Sequence, residues 1–302
     1  MHNHSHGHEH STSSPPTSAF AIASLLNLAF VLIQAFFAIR ANSMSLLADA
    51  GHNLGDVIGL LLSWGAAWLL TKQPSQRYSY GFKRTTILAA LTNAVLLVAT
   101  SAIIGYESIH KILSPEPVES MAVIVVAFLG ILINGGTSLL FLKDSAHDLN
   151  TKSAFMHLAA DALLSFGVVL TGVLMYFTHW YWLDPLVGLA LVATILVGTW
   201  GLLRDSMNLM LDAVPHNVNR FHVREYLLNL KGVTEVHDLH IWGLSTRENA
   251  LTVHLIMPGA TLSEVDYHHI NHDLHEKFNI NHVTIQIETG DSQQSCAHGQ
   301  SC

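Results

Sequence analysis

Four side chains able to bind a metal ion lie in strongly apolar parts of this chain: His52 with Asp56, and His157 with Asp161. The residues of each pair are four apart, which puts both side chains on one face of a helix, a turn from each other. Imidazole and carboxylate are good ligands for a borderline-soft divalent metal. An ionisable group at membrane depth is costly, so its presence there points to function. Two pairs supply four ligands, the number a tetrahedral zinc ion takes. These residues therefore imply a metal ion held inside a membrane protein, and hence transport.

One His-x-x-x-Asp pair could simply join two helices by hydrogen bonds. Two copies on separate spans, with few other ionisable groups nearby, favour a metal. Two carboxylates offset the charge of a dehydrated divalent ion, and two neutral imidazoles complete its shell. Hard cations such as Mg²⁺ prefer all-oxygen sites, so two nitrogens and two oxygens favour Zn²⁺, with Co²⁺, Cd²⁺, Fe²⁺, Ni²⁺ and Mn²⁺ secondary. Asp49 is three residues before His52 and shares its face, as a supporting partner of the ligands rather than a fifth ligand. Asn27, Gln34, Asn53, Asn93 and Asn134 are polar membrane residues read as helix-packing groups.

The elements that must position these residues are long apolar segments. Hydrophobic residues make up 50% of the 302 and charged residues only 12%, about half the charged share of a soluble domain. Six segments approach the span length of about 20 residues: Ser18–Ile39, Met44–Leu70, Thr85–Ile104, Met121–Leu142, Ser153–Phe177 and Pro185–Leu203. The expected organisation is a His-rich disordered tail (1–17), a six-helix transmembrane domain (18–211), a soluble α/β domain (212–290) and a Cys/His-containing tail (291–302). No cleaved signal peptide is expected, because the first apolar run lacks a basic region and a cleavage site. Lys72, Arg77, Lys83 and Arg84 follow the second segment, and Lys143 and Lys152 follow the fourth; the opposite loops hold only Arg40 and Lys111. That bias puts both termini and the soluble domain in the cytoplasm.

The soluble part reads as helix Asn219–Leu230, strands Val233–Trp242 and Ala250–Met257, helix Ser263–Phe278 and strand His282–Glu288. Alternating Leu251, Val253, Leu255 and Met257 share one strand face, and Val283, Ile285 and Ile287 another. The order α-β-β-α-β fits a two-layer sandwich with the helices on one face of an open sheet.

The 21 His against 14 Lys and Arg are the compositional anomaly, and the net charge of −8 gives no reason to expect nucleic acid. His2, His4, His6, His8 and His10 are candidates for loose metal collection. In the soluble part the strand faces offer His240, His254, His282 and Glu288, and the favoured regulatory metal set is His240, His282 and Glu288 with Cys296 and Cys302. His268, His269, His272 and His275 read as an exposed polar helix face.

The chain resembles the cation diffusion facilitator family, and within it the bacterial zinc-exporter branch. The likeness lies in Ser43–Val57, Arg77–Arg84, Glu107-Ser108-Ile109 with Pro115-Glu116-Pro117, Leu149–Ser165, Asp184-Pro185, Val236–Trp242 and Thr284–Glu288. The resemblance implies a homodimer of six-helix protomers in the bacterial inner membrane, each with a cytoplasmic ferredoxin-like domain. It implies export of zinc from the cytosol driven by inward proton movement. His52, Asp56, His157 and Asp161 fall on the family's transport-site positions, and His at the first of them is the pattern associated with zinc preference. Two departures stand out. The loop between Thr71 and Gly81 lacks the His or Asp of a peripheral zinc site, and Thr86 stands where many members carry Glu. In the soluble domain, two positions of the family's binuclear metal site correspond to Gln286 and Glu288, and Gln is a poor ligand.

Proton coupling follows from chemistry as well. Imidazole titrates near pH 6.5 in water, and metal and proton compete for the same nitrogen. A site that binds metal facing a neutral cytosol releases it on facing a more acidic exterior. Two other classes differ in what they require. An intramembrane metallo-hydrolase needs an open coordination position and a general base, and the chain has no His-Glu-x-x-His. A metal sensor keeps its ion, whereas a carrier turns over.

Overall fold

The computed structural model describes residues 17–142, 149–259 and 262–289. The collector histidines His2 to His10, and Cys296 and Cys302, lie outside the described residues. Six long helices come first: α1 (Thr17–Arg40), α2 (Met44–Leu70), α3 (Thr85–Leu113), α4 (Ser120–Phe141), α5 (Leu149–Thr178) and α6 (Leu183–Met210). Five of them, α2 to α6, are long and apolar enough to cross a membrane, and α1 is a weaker sixth. Large apolar side chains point outward on them: Trp64, Phe177 and Val197 are each more than 70% exposed. Such exposure suits a lipid surround.

The third segment, expected to end at Ile104, continues as helix to Leu113. Backbone groups stay paired only if the helix goes on after its apolar run ends. The polar extension is anchored by Lys111, whose Nζ donates to the Asn42 carbonyl at 3.1 Å. Ser114-Pro115 then stops it. The sixth segment likewise runs past Leu203 to Met210, carrying Arg204 and Asp205 on helix.

The chain divides into two compact units, and α2, α3 and α6 each contribute to both. The first holds the residues up to Val57 and Ala99–Ile195. Within it the start of α2 is capped by Asp184 of α6. The Asp184 carboxylate, buried at 0% exposure, accepts from Ser43 Oγ at 2.6 Å, Ser45 Oγ at 2.6 Å and the Met44 amide at 2.5 Å. A carboxylate there satisfies orphan amides and complements the positive helix end. One turn on, Gly188 permits the approach: a Cβ on it would stand 3.1 Å from the Met44 carbonyl carbon.

The second unit holds Ile58–Val98 and Leu196 onward. Its soluble part follows the expected order: α7 (Arg220–Leu228), β1 (Glu235–Gly243), β2 (Asn249–Ile256), α8 (Glu264–Phe278) and β3 (His282–Glu288). The sheet runs β1-β2-β3, antiparallel then parallel. Asn219 caps α7 by accepting from the Phe221 and His222 amides. Ser263 and Asp266 form a capping box on α8, and Asn279 closes it in the left-handed conformation at φ 56. Val223 and Leu227 of α7 and Ile270 and Leu274 of α8 bury against Leu251, Val253 and Leu255.

The turn between β1 and β2 docks on the start of α3. The Thr246 amide donates to Thr86 Oγ1 at 3.1 Å, and Lys83 pairs with Glu248. Thr86 thus has a definite local role as an acceptor. Gly243 fits beside Leu209 of α6, whose Cδ2 a Cβ would meet at 2.9 Å.

Candidate functional site

His52 and Asp56 lie a turn apart on α2, and His157 and Asp161 a turn apart on α5. All four belong to the first unit. Their polar atoms alternate around a ring. His52 Nε2 lies 3.7 Å from Asp56 Oδ2 and 3.4 Å from Asp161 Oδ1. His157 Nε2 lies 3.2 Å from Asp56 Oδ2 and 3.6 Å from Asp161 Oδ2. The two imidazoles meet edge to face, with centroids 6.0 Å apart. Ligand atoms of His52, Asp56 and Asp161 all lie within 4.8 Å of one another, and His157 adjoins this group through Asp56 Oδ2 and the other oxygen of Asp161, Oδ2. Bonds of about 2.0–2.2 Å to four tetrahedral ligands place neighbouring ligand atoms about 3.3–3.5 Å apart. Octahedral Mg²⁺, with bonds of about 2.0–2.1 Å, brings adjacent oxygens to about 2.9 Å. The nitrogen–oxygen separations of 3.2–3.7 Å are nearer the tetrahedral spacing than the octahedral one, with Asp161 turning a different oxygen to each imidazole.

Asp161 is nearly buried and His157 about half exposed. His52 Nδ1 is buried with no hydrogen-bond partner among the described residues. A metal-bound imidazole ordinarily donates this N–H to an acceptor, which raises its basicity.

Asp49 lies beneath this ring. Its Oδ2 accepts from Gln34 Nε2 of α1 at 2.6 Å and from Ser165 Oγ of α5 at 3.0 Å. Gln34 in turn accepts from Asn53 Nδ2 at 3.3 Å. One buried carboxylate therefore ties the α2 ligand turn to α1 and α5. Gln34 and Asn53, read from sequence as packing residues, belong to this network, and Ser165 was not singled out at all. The available signal was its position four residues after Asp161, on the same face. Gly130 of α4 makes room: a Cβ there would stand 3.1 Å from Ser165 Oγ and from Phe30 Cζ.

The second cluster lies on the open face of the soluble sheet. His237, His254 and Glu288 place ligand atoms within 4.8 Å of one another. His254 Nδ1 is 2.9 Å from Glu288 Oε1, and His237 Nε2 is 3.3 Å from Glu288 Oε2. Glu288 was expected to join His240 and His282, and the structure gives it different neighbours. The reason is a β-bulge. Strict alternation along β1 breaks between His237 and His240, where Asp238 adopts φ 49. The extra residue brings His237 directly opposite His254. His240 bonds Asp238 at 2.7 Å instead. That bond, helped by the charges of His254 and His237, holds the Asp238 carboxyl below the usual range. His282 packs edge-on against Tyr80. Gln286 donates to Glu288 at 3.0 Å and so orients its carboxylate. His268, His269 and His272 are exposed on α8, and His275 pairs with Glu276.

Apolar spans, a ring of two imidazoles and two carboxylates between them, and a small α/β domain define a membrane protein that handles divalent cations. The cation efflux transmembrane domain profile matches residues 20–211, and the cation efflux protein cytoplasmic domain profile matches 215–290. The chain belongs to the cation efflux, or cation diffusion facilitator, family. It is 32% identical over 297 residues to the cation efflux system protein CzcD of Alcaligenes sp. strain CT14, covering 98% of this chain and 92% of that one. It is 31% identical over 273 residues to the cadmium, cobalt and zinc/H(+)-K(+) antiporter of Bacillus subtilis, covering 89% and 88%. It is 29% identical over 303 residues to the zinc transporter ZitB of Escherichia coli, covering 100% and 95%.

Proposed function

We propose that this protein exports zinc, and secondarily cadmium or cobalt, from the bacterial cytosol in exchange for protons, and so confers metal tolerance. The ion is carried by His52, Asp56, His157 and Asp161. The observation behind this reading is the convergence of His52, Asp56 and Asp161 within 4.8 Å, with His157 beside them at 3.2 Å from Asp56 and 3.6 Å from Asp161. The names of the Bacillus subtilis and Escherichia coli relatives support the same ions and the antiport. Protons displace the metal because they occupy the imidazole nitrogens that bind it. The ring then keeps its charge balance, as two imidazolium ions replace one divalent cation against the same two carboxylates.

The basic residues Lys72, Arg77, Lys83 and Arg84 support a cytoplasmic soluble domain and cytoplasmic termini in the inner membrane. The protein acts as a homodimer, in keeping with the cytoplasmic domain profile it matches. A regulatory zinc binds at His237, His254 and Glu288, and the His-rich N-terminus gathers metal. The deciding experiment is zinc-driven proton flux in proteoliposomes. His157→Ala abolishes the flux; flux retained at the wild-type level rules out this site.

A further inference from the structure

Where the spans meet the soluble domain, the second unit contains a cavity of about 660 Å³. Tyr80 and Arg84 line it from the α2–α3 connection, Asp212 from beyond α6, Arg220 from the start of α7, and His240 and Trp242 from β1. Its level relative to the membrane follows from the chain. Arg84 immediately precedes Thr85, where α3 begins, and Asp212, which follows the polar last turns of α6 with Arg204 and Asp205, is held at the level of Arg84 by their ion pair. The cavity therefore lies just on the water side of the apolar run that opens α3.

Its charge is cationic. Arg84 Nη2 pairs with Asp212 Oδ1 at 2.5 Å. Arg220 donates through Nη2 to the Leu239 carbonyl at 3.2 Å and makes no ion pair among the described residues. Each guanidinium has five N–H donors in a planar fork, so both have donors left for a further oxyanion. His240 is already engaged by Asp238. The segment from the end of α6 to the start of α7 also exposes apolar side chains, with Leu211 72% and Phe221 71% exposed beside Met210 and Val214. Exposed apolar and aromatic groups next to arginine, at the end of a span, are the composition that settles at the headgroup boundary.

We propose that this cavity binds the phosphate of an anionic phospholipid from the leaflet on the soluble-domain side. Arg220 and Arg84 hold the phosphate, and Leu211 and Phe221 meet the upper acyl region. Basic pockets at this level of a membrane protein take such headgroups. A free phosphate would satisfy the arginines equally, and the apolar side chains favour the lipid. The proposal requires only the boundary between spans and soluble domain, so it holds or fails independently of the transported ion.

The test uses the full-length protein, delipidated in detergent and titrated with phosphatidylglycerol or phosphatidylcholine, with retained lipid read by native mass spectrometry. Phosphatidylglycerol is expected to be retained more strongly than phosphatidylcholine. Arg220→Gln is expected to weaken phosphatidylglycerol retention about fivefold and leave phosphatidylcholine unchanged. Phe221→Ser should weaken lipid retention without changing the binding of inorganic phosphate. Equal retention of the two lipids by the wild-type protein overturns the proposal, and this measurement does not depend on any variant folding. Unchanged phosphatidylglycerol retention in Arg220→Gln, or its complete displacement by inorganic phosphate, also overturns it. Zinc titration of the same samples checks the transport site separately.

Discussion

Replacing Asp49 by Asn tests whether the buried network beneath the metal ring positions its ligands. The substitution keeps size and shape and removes only the charge. In the native protein Asp49 Oδ2 accepts two hydrogen bonds, from Gln34 at 2.6 Å and Ser165 at 3.0 Å. Both donors converge on one oxygen, so the Asn carbonyl must take that place for both bonds to survive. They then become neutral. A charge-assisted bond contributes about 1.5–3 kcal/mol net and a neutral one about 0.5–1.5. The two together lose about 2–3 kcal/mol. Asp49 lies on the α2 turn that carries His52, and Ser165 on the α5 turn after Asp161, so the loss falls on the geometry of the ring. Zinc affinity should weaken by about 30- to 150-fold, overlapping the roughly 10- to 100-fold of outer-shell substitutions at other metal sites. The assay is competition between purified protein and a fluorescent zinc chelator at fixed pH, with helicity measured alongside. Wild-type zinc affinity in a folded Asp49→Asn protein refutes the positioning role. Asp49→Ala is a poorer choice, because it leaves two buried donors unpaired and threatens the fold itself.

Gly188→Ala should destabilise the protein by about 1–3 kcal/mol in a detergent thermal melt, because its Cβ would press on the Met44 backbone at 3.1–3.2 Å; an unchanged melt would show that the two helices separate freely there. His254→Ala should remove the zinc bound by the soluble domain in equilibrium dialysis of the intact protein, whereas His240→Ala should leave it in place; equal losses would reinstate His240 as a ligand. Lys277, then Tyr226, donate to Asp273 and hold its carboxyl below the usual range. A depressed carboxylate stabilises the fold above its unfolded pKa and stops doing so as pH falls through the folded value. Asp273→Asn should therefore lower the melting temperature at neutral pH and have no effect once the carboxylate is protonated in strong acid; an equal shift at both would mean that its ion pair contributes nothing.

Much of this architecture is local, and local pattern is written in sequence. Long apolar runs mark spans because an unpaired backbone cannot exist in hydrocarbon. The i, i+4 spacing places His52 with Asp56, and His157 with Asp161, whatever the rest of the chain does. Alternation marks the face of β2 that carries Leu251, Val253 and Leu255, and all three are buried. The caps at Asn219 and Ser263 depend on residues within a turn.

Only the tertiary structure decided how separate elements meet. No periodicity in α2 or α5 specifies that the two His-Asp pairs face each other with edges of 3.2–3.7 Å. Nor does it specify that Gln34, far away in α1, reaches Asp49. Asp184 resembles an ordinary helix-start acid, yet the helix start it caps most fully is that of α2. In the soluble domain one residue at positive φ, Asp238, shifts the register and exchanges His240 for His237 beside Glu288. A bulge depends on the pairing of two strands, so alternation within either strand does not reveal it. The residue types and the face each occupies come from sequence, because bond geometry sets them within a few residues. Which faces meet is a property of packing across long chain separations, and only there do the two His-Asp pairs come together.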